Sequence, residues 1–133
     1  MLAPSPRPAL QVLIAGPDVI GRLACRKLLV SRDLVVQDAA SRDLTLRWLA
    51  EAAPRLLVLD IALSPELDLF VEITGKYPRV AVVLMAPQTR VDFVRARARE
   101  RLVAHLVRDV WGKPLDAQRM NAVLDDLFGP RRY

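Results

Sequence analysis

Short apolar segments alternate with amphipathic segments along most of this chain. The apolar segments are rich in leucine and β-branched residues and are bounded by polar or turn-forming residues, which is typical of buried strands. We therefore predict five strands, over residues 11–15, 34–38, 55–60 and 79–85, with a short one around 110–111.

Between these strands, apolar residues recur at helical spacing, which predicts five helices. Each helix has a residue suited to its first turn or cap. The predicted starts are Asp18, Ser41, Ser64, Thr89 and Asp116.

The ends of three helices are also predicted. Glycine is a common helix stop, so we place the end of the third helix at Gly75 and that of the fifth at Gly129. The fourth helix has no early stop signal, and its apolar positions predict that it continues through Leu106.

Strands that are apolar on both faces and alternate with helices predict a parallel sheet covered by helices on both sides. We assign residues 10–129 to one doubly wound α/β domain, with a flexible tail over 1–9 and a C-terminal tail over 130–133. Sites in such sheets form at the carboxyl ends of the strands. Those ends are residues 16–18, Asp60, residues 85–86 and residues 112–114.

The composition fits one globular domain of 133 residues, with 53% hydrophobic and 26% charged residues. A single cysteine, Cys25, excludes an intrachain disulfide and a multi-cysteine metal site. No apolar run is long enough to span a bilayer, and the N-terminus does not resemble a signal peptide. We therefore predict no membrane contact and a cytoplasmic location.

The charge is strongly basic, with 20 basic and 15 acidic residues and a net charge of +5. Only three basic residues are lysines, so the other 17 are arginines. Arginine-rich chains are common in GC-rich genomes, and a basic chain also suits an acidic partner, such as nucleic acid or an acidic protein surface.

The strand ends resemble those of the receiver domain of bacterial response regulators. The sequence LLVLDIALSPELDLF resembles the phospho-acceptor strand and the loop after it, with Asp60 at the acceptor position. The sequence GKPLDAQRMNAVL resembles the Lys-Pro motif and the last helix, with Lys113 at the phosphate-contacting position. The resemblance covers about residues 10–128 and implies the flavodoxin-like strand order 2-1-3-4-5.

The sequence departs from the receiver pattern at the metal site and at the switch. Gly16 and Pro17 occupy the positions of the acidic pair that helps receivers to hold Mg²⁺. Asp18 is the only acid in that loop, and a helix cap is its competing interpretation. The hydroxyl residue of the switch is replaced by Met85, and the switch aromatic position falls on Val110. We therefore expect weak Mg²⁺ binding at most and no other cofactor.

Two interpretations of Asp60 follow from this pattern. Asp60 and Lys113 form a structural ion pair, or Asp60 is a retained but weak phospho-acceptor.

The fourth helix is rich in arginine, and in receivers this helix, the fifth strand and the fifth helix form the usual partner or dimer surface. We assign Arg95 and Arg99 to such a surface with Trp111 as an anchor, whereas a solvated helix face is the simpler interpretation. Acids such as Asp109 and Asp125 of a second copy would complement these arginines. We expect no nucleic-acid platform, because aromatic side chains do not alternate with the arginines.

Together, these features predict a stand-alone degenerate receiver (a pseudo-receiver) of bacterial two-component or phosphorelay signalling. It would act by protein–protein interaction with a histidine kinase or a downstream regulator, and as a homodimer. The alternatives are a true phospho-accepting receiver with a weakened metal site and a basic nucleic-acid-binding domain that uses the fourth helix. No glycine-rich phosphate loop, nucleophile elbow or histidine–carboxylate pair is present, so we do not predict an enzyme.

Overall fold

A computed structural model describes residues 9–130 of the chain. Apart from Ala9 and Pro130, the tails predicted over 1–9 and 130–133 lie outside the described residues.

Five parallel strands form one sheet in the order β2-β1-β3-β4-β5, which confirms the predicted topology. The strands are β1 (Val12–Ala15), β2 (Val36–Ala39), β3 (Leu56–Asp60), β4 (Ala81–Pro87) and β5 (Val107–Lys113).

Five helices connect or follow these strands, and the caps predicted for three of them are present. The carboxylate of Asp18 accepts hydrogen bonds from the first turn of α1, the hydroxyl of Ser41 does so for α2, and the carboxylate of Asp116 does so for α5. The helices are α1 (Val19–Val30), α2 (Arg42–Ala52), α3 (Asp68–Lys76), α4 (Val91–Glu100) and α5 (Ala117–Phe128).

Each face of the sheet is covered by its own set of helices. Cys25 and Leu29 of α1 pack with Met120 and Leu124 of α5 on one face, and α2, α3 and α4 cover the other. Burial of a leucine or phenylalanine side chain contributes about 1.5–3 kcal/mol relative to exposure. The two apolar layers therefore hold the strand ends in fixed register.

The third helix begins later than predicted and ends at Lys76, within one residue of the predicted end. It begins at Asp68 rather than beside Ser64, because Leu67 adopts a left-handed conformation with φ of 62° and turns the chain first. The buried hydroxyl of Ser64 still accepts a hydrogen bond from the amide of Leu69, at 3.0 Å. Gly75 lies inside the helix rather than after it, so this glycine does not end the helix.

The fourth helix is shorter than predicted, because it ends at Glu100 and a 3₁₀ turn precedes β5. Leu102 adopts φ of 58°, and the amide of Val103 donates to the carbonyl of Ala98 at 2.9 Å. These are features of a Schellman stop, which usually contains glycine at the left-handed position. Leu102 is 82% exposed and does not line the apolar face of α4, as we had expected.

Within residues 9–130, no helix is both long enough and apolar enough to cross a membrane.

We predict that the thiol of Cys25 is unreactive in the folded chain. Its side chain is fully buried, and burial, followed by the nearby carboxylate of Asp38, raises the pKa of this thiol from 9.0 to about 12. A thiol reagent at mildly alkaline pH should label Cys25 only at the rate of unfolding, and rapidly once urea is added. Fast stoichiometric labelling without denaturant would show that α1 is not packed as described.

Candidate functional site

The carboxyl edge of the sheet brings together the two residues that carry the resemblance. Asp60 ends β3 and Lys113 ends β5, and the ammonium Nζ of Lys113 donates to Asp60 Oδ2 at 2.7 Å. The Asp60 side chain is 3% exposed and that of Lys113 is 25% exposed. The ends of β3 and β5 therefore bring these two charges into direct contact.

The second oxygen of Asp60 also has a donor. The amide of Ala62, in the 3₁₀ turn Ile61–Leu63 that follows β3, donates to Asp60 Oδ1 at 2.9 Å. A buried carboxylate costs free energy unless it is paired and hydrogen-bonded. Both conditions are met here by groups of the chain itself.

Gly16 lies directly against Asp60, in the first of the two positions that are acidic in receivers. A Cβ at residue 16 would come within 3.0 Å of the Asp60 Cβ, which is closer than nearly all such contacts. Pro17 is exposed and offers no side-chain donor or acceptor. Any larger side chain at residue 16 therefore requires the neighbouring strand end to shift.

Asp18 acts as the cap of α1. Its Oδ1 accepts from the amide of Ile20 and its Oδ2 from the amide of Gly21, each at 3.2 Å. The helix N-terminus favours a carboxylate at this place, so this geometry supports the competing interpretation of Asp18 as a cap.

An ion cluster that the sequence analysis missed lies beside this edge. Arg22 donates to the carbonyl of Gly16, and its Nε lies 3.6 Å from Asp38 Oδ2, while Arg26 donates to Asp38 Oδ1 at 2.7 Å. The one-turn spacing of the two arginines on α1 was the only sequence signal. Asp38, the acid that both arginines contact, lies near the end of β2, and only the folded chain brings it next to α1.

The donor set does not suit a Mg²⁺ ion. Mg²⁺ prefers several charged or carbonyl oxygens in octahedral geometry. Asp60 is engaged by Lys113 and Ala62, Asp18 by its helix, and residues 16 and 17 supply no side-chain oxygen. In the described part of the chain, no group of three or more His, Cys, Asp and Glu residues could hold a metal ion.

The two positions aligned with the switch lie on opposite faces of the sheet. Met85 is the partner of Asp60 in the β3–β4 register and is buried with α1 and α5, whereas Val110 packs beneath α4. Neither side chain offers a useful donor to a phosphate.

Trp111 cannot act as the interface anchor that we predicted. It is the β5 partner of Met85 and is only 1% exposed, because its ring fills the core under α1 and α5.

Of the two arginines predicted to form the interaction surface, Arg95 is engaged within the chain. Arg95 lies 3.6 Å from Asp109, and Arg119 donates twice to the same carboxylate, at 2.8 and 2.9 Å. These hydrogen bonds raise the pKa of Arg119. Asp125 is held by Arg32 at 2.8 Å. The two acids that we expected to serve a second copy are therefore already paired.

Phe93 corrects our statement that aromatic side chains do not alternate with the arginines of α4. Its ring is 45% exposed on α4, with the guanidinium groups of Arg90 and Arg97 at 4.7 and 5.5 Å from its centre. Arg99 is exposed on the same helix, and no carboxylate of residues 9–130 lies within 4 Å of it.

Comparisons with solved structures support the fold. The signal receiver domain of an HD domain-containing protein from Pseudomonas fluorescens Pf-5 is 17% identical, with a TM-score of 0.75 over 90% of this chain and 94% of that one. A response regulator receiver domain protein from Clostridium thermocellum is 18% identical, with a TM-score of 0.73 over 88% and 92%. The receiver domain of NtrX from Brucella abortus is 24% identical, with a TM-score of 0.75 over 88% and 97%.

The chain therefore has the fold of response regulator receiver domains. No protein-family model matches the sequence, and no curated protein sequence matches it.

We predict that removing one partner of the central ion pair lowers the free energy of unfolding. Asp60→Asn should cost about 1–2 kcal/mol because the amide pairs less well with Lys113. Lys113→Met should cost more, about 2–3 kcal/mol, because it leaves the buried carboxylate without its cation. Urea unfolding at constant m-value measures both.

Asp126→Asn is the matched control for this prediction, since Asp126 pairs with Arg108 at 3.1 Å but is 69% exposed. Its cost should stay within about 0.5 kcal/mol. A gain of stability in Asp60→Asn would mean that Asp60 experiences net repulsion, contrary to the geometry.

Proposed function

We propose that this chain is a degenerate receiver-type signalling module that acts through protein–protein contacts, without ordinary Mg²⁺-dependent phosphorylation of Asp60. One observation carries the proposal: both oxygens of Asp60 are bound by groups of the chain, at 2.7 Å from Lys113 and 2.9 Å from Ala62. The positions next to it that would contribute further acids are Gly16 and Pro17.

The charge balance of this edge supports the same conclusion. Phosphoryl transfer to a carboxylate brings negative charges together and needs cations to offset them. The acids here are Asp60, Asp38 and the helix cap Asp18. Asp60 and Asp38 already pair with Lys113 and with two arginines of α1, so three cations balance three acids. The edge therefore has no surplus of negative charge with which to attract a divalent cation.

A true phospho-acceptor with a weakened metal site is the alternative within signalling. The position of Lys113 supports it, because the same ammonium that pairs with Asp60 could neutralise a phosphoryl group on that carboxylate. The difference between the two proposals lies in whether Asp60 accepts a phosphoryl group at all.

The surface of α4 and β5 supports the protein-contact part of the proposal. A groove of about 270 Å³ runs between them, with Arg95 and Arg99 on one side and Arg108 on the other. Phe93 adds an exposed aromatic ring on α4, and aromatic and arginine side chains are the usual anchors of interfaces. A histidine kinase, a downstream regulator or a second copy of the chain are the partners that we infer for this surface.

A second surface lies beside the carboxyl edge. Val19, Ile20 and Leu23 occupy the first turns of α1 and are 56%, 78% and 55% exposed. Three large apolar side chains in one exposed patch suit contact with another protein better than contact with water.

We infer that the chain is not an enzyme in its own right; among residues 9–130, no nucleophile is paired with a base near Asp60. A nucleic-acid-binding role through α4 remains the candidate from another class. The half-exposed ring of Phe93, with two arginines near it, favours this role, because an exposed aromatic ring beside arginines can stack on a base. Titration with DNA across a salt series distinguishes it, since phosphate contacts give a steep salt dependence.

We predict that acetyl phosphate with Mg²⁺ leaves the intact mass of the chain unchanged. A receiver domain with an intact acidic pair, treated in parallel, should gain one phosphoryl group. Intact-mass spectrometry under non-acidic, rapid conditions makes the measurement, because acyl phosphates hydrolyse.

A phosphoryl-sized mass gain in the native chain that disappears in Asp60→Asn would overturn the degenerate assignment and support the weakened acceptor. A gain that persists in Asp60→Asn would mean modification elsewhere and would leave Asp60 unmodified, as proposed.

We also predict that Arg99→Glu weakens self-association while leaving stability within about 0.5 kcal/mol, because Arg99 is exposed and unpaired among residues 9–130. The loss should be largest at low salt. Sedimentation over a range of concentrations measures it. Arg95 is left unchanged, since a glutamate there would also repel Asp109.

Arg47→Glu on α2 makes the same change of charge at another exposed position and should leave association unchanged. A native chain that remains monomeric at every concentration would contradict the homodimer. Equal loss in both variants would indicate an effect of net charge alone.

A further inference from the structure

The amino end of the sheet, opposite Asp60, carries three arginines and a histidine, of which only Arg108 also borders the groove between α4 and β5. Arg55 precedes β3, Arg79 precedes β4, His105 lies in the turn before β5, and Arg108 is its second residue. Because all five strands are parallel, these residues meet at one edge. They line a cleft of about 310 Å³.

These four residues have few carboxylate partners. Among residues 9–130, no carboxylate lies within 4 Å of Arg55, Arg79 or His105, and Arg108 contacts only the exposed carboxylate of Asp126. This differs from α4, where Arg95 and Arg97 are paired. Cations that converge on one cleft repel one another, so the cleft favours an anion.

The cleft is not lined by charge alone. Val80, Leu106 and Leu127 contribute apolar surface between the arginines. Its volume corresponds to roughly ten water molecules, at about 30 Å³ each. A phosphate group alone would leave much of it empty, whereas a phosphate joined to an apolar or ring-shaped body would contact both kinds of lining.

A neighbouring cavity of about 430 Å³ shares Arg55 but is less suited to an anion. Its other lining arginine, Arg32, already donates to Asn121, Asp125 and the carbonyl of Gly129. The guanidinium of Arg55 lies over the ring of Phe128, at 5.1 Å, between the two spaces. That contact limits its motion while leaving its N–H groups free of carboxylates in the described region.

We propose that the cleft bounded by Arg55, Arg79, His105 and Arg108 binds an organic phosphate of the nucleotide class. The phosphates lie against the arginines, whose planar donors match phosphate oxygens. The ring system lies against Val80, Leu106 and Leu127. This site is separate from Asp60 and shares only Arg108 with the groove between α4 and β5. Its tests change Arg55 and Arg79, so its failure is distinguishable from a failure of the function proposed above.

Adenosine diphosphate is the probe, with EDTA present so that no divalent cation acts at the carboxyl edge. The isotope-labelled 133-residue chain is titrated by NMR. We expect saturable shifts of the amides of residues 79–81 and 105–108, with the amide of Ala62 beside Asp60 unchanged. Adenosine without phosphate should not produce them, and added salt should weaken binding.

Arg55→Ala and Arg79→Ala should each weaken binding about tenfold, the effect of losing one charge-assisted hydrogen bond. Both residues are exposed, so neither change disturbs the core. Arg47→Ala removes an exposed arginine outside the cleft and should leave binding unchanged.

Three results would overturn the proposal. Inorganic phosphate that binds as tightly as adenosine diphosphate would leave the ring without a role. A short acidic peptide that binds where the nucleotide does not would make the cleft a protein site, and an oligonucleotide that binds where the mononucleotide does not would make it part of a nucleic-acid surface.

Discussion

The ion pair between Asp60 and Lys113 is the constraint around which the carboxyl edge is organised. The two residues end strands that are separated by β4, so the pair spans three strands and lies next to the buried Met85. A carboxylate that is 2% exposed must keep its cation and its amide donor or lose several kcal/mol. The effect of a substitution at this edge on stability therefore depends on whether the carboxylate of Asp60 keeps these partners.

Gly16 shows how closely the neighbouring chain has adapted to this pair. The absence of a side chain at residue 16 lets β1 end against the Asp60 Cβ, and Arg22 binds the carbonyl that remains there. The same compact arrangement that satisfies Asp60 removes the positions from which other acids could reach a cation. The close packing of Gly16 against Asp60 thus also explains why residue 16 supplies no metal ligand.

Much of the fold could be predicted from the sequence, because its signals are local. Apolar periodicity gave the strands, and the caps Asp18, Ser41 and Asp116 lie within three residues of the amides they bind. The end of α4 could not be predicted, because Leu102 occupies a left-handed position where glycine is the usual signal. Gly75 was wrongly predicted to be the stop of α3, because a helix tolerates an interior glycine at modest cost.

The site was predictable only in part, for a similar reason. Strand ends are fixed by topology, which is why Asp60 and Lys113 could be placed together. The pairing of Arg22 with Asp38 and of Arg119 with Asp109 depends on side chains that meet across elements. Composition alone could not distinguish these paired arginines from the unpaired ones at the amino end.

Over the part of the chain that the structure describes, charges are paired at the carboxyl edge of the sheet and partly unpaired at the amino edge, so the two edges differ in their capacity to bind a ligand. At the carboxyl edge, each acid near Asp60 already has a cation or a helix end, and the neighbouring Met85 and Trp111 are buried in the core. A conformational change at that edge would have to break ion pairs and hydrogen bonds that are each favourable and that give each of these acids a partner. At the amino edge, Arg55 and Arg79 have no carboxylate partner among residues 9–130, so a ligand would add contacts without breaking any. A ligand shifts an equilibrium only by its differential affinity for two states. This difference between the two edges supports the proposal that the differential comes from what binds to the surfaces of the domain rather than from chemistry at Asp60.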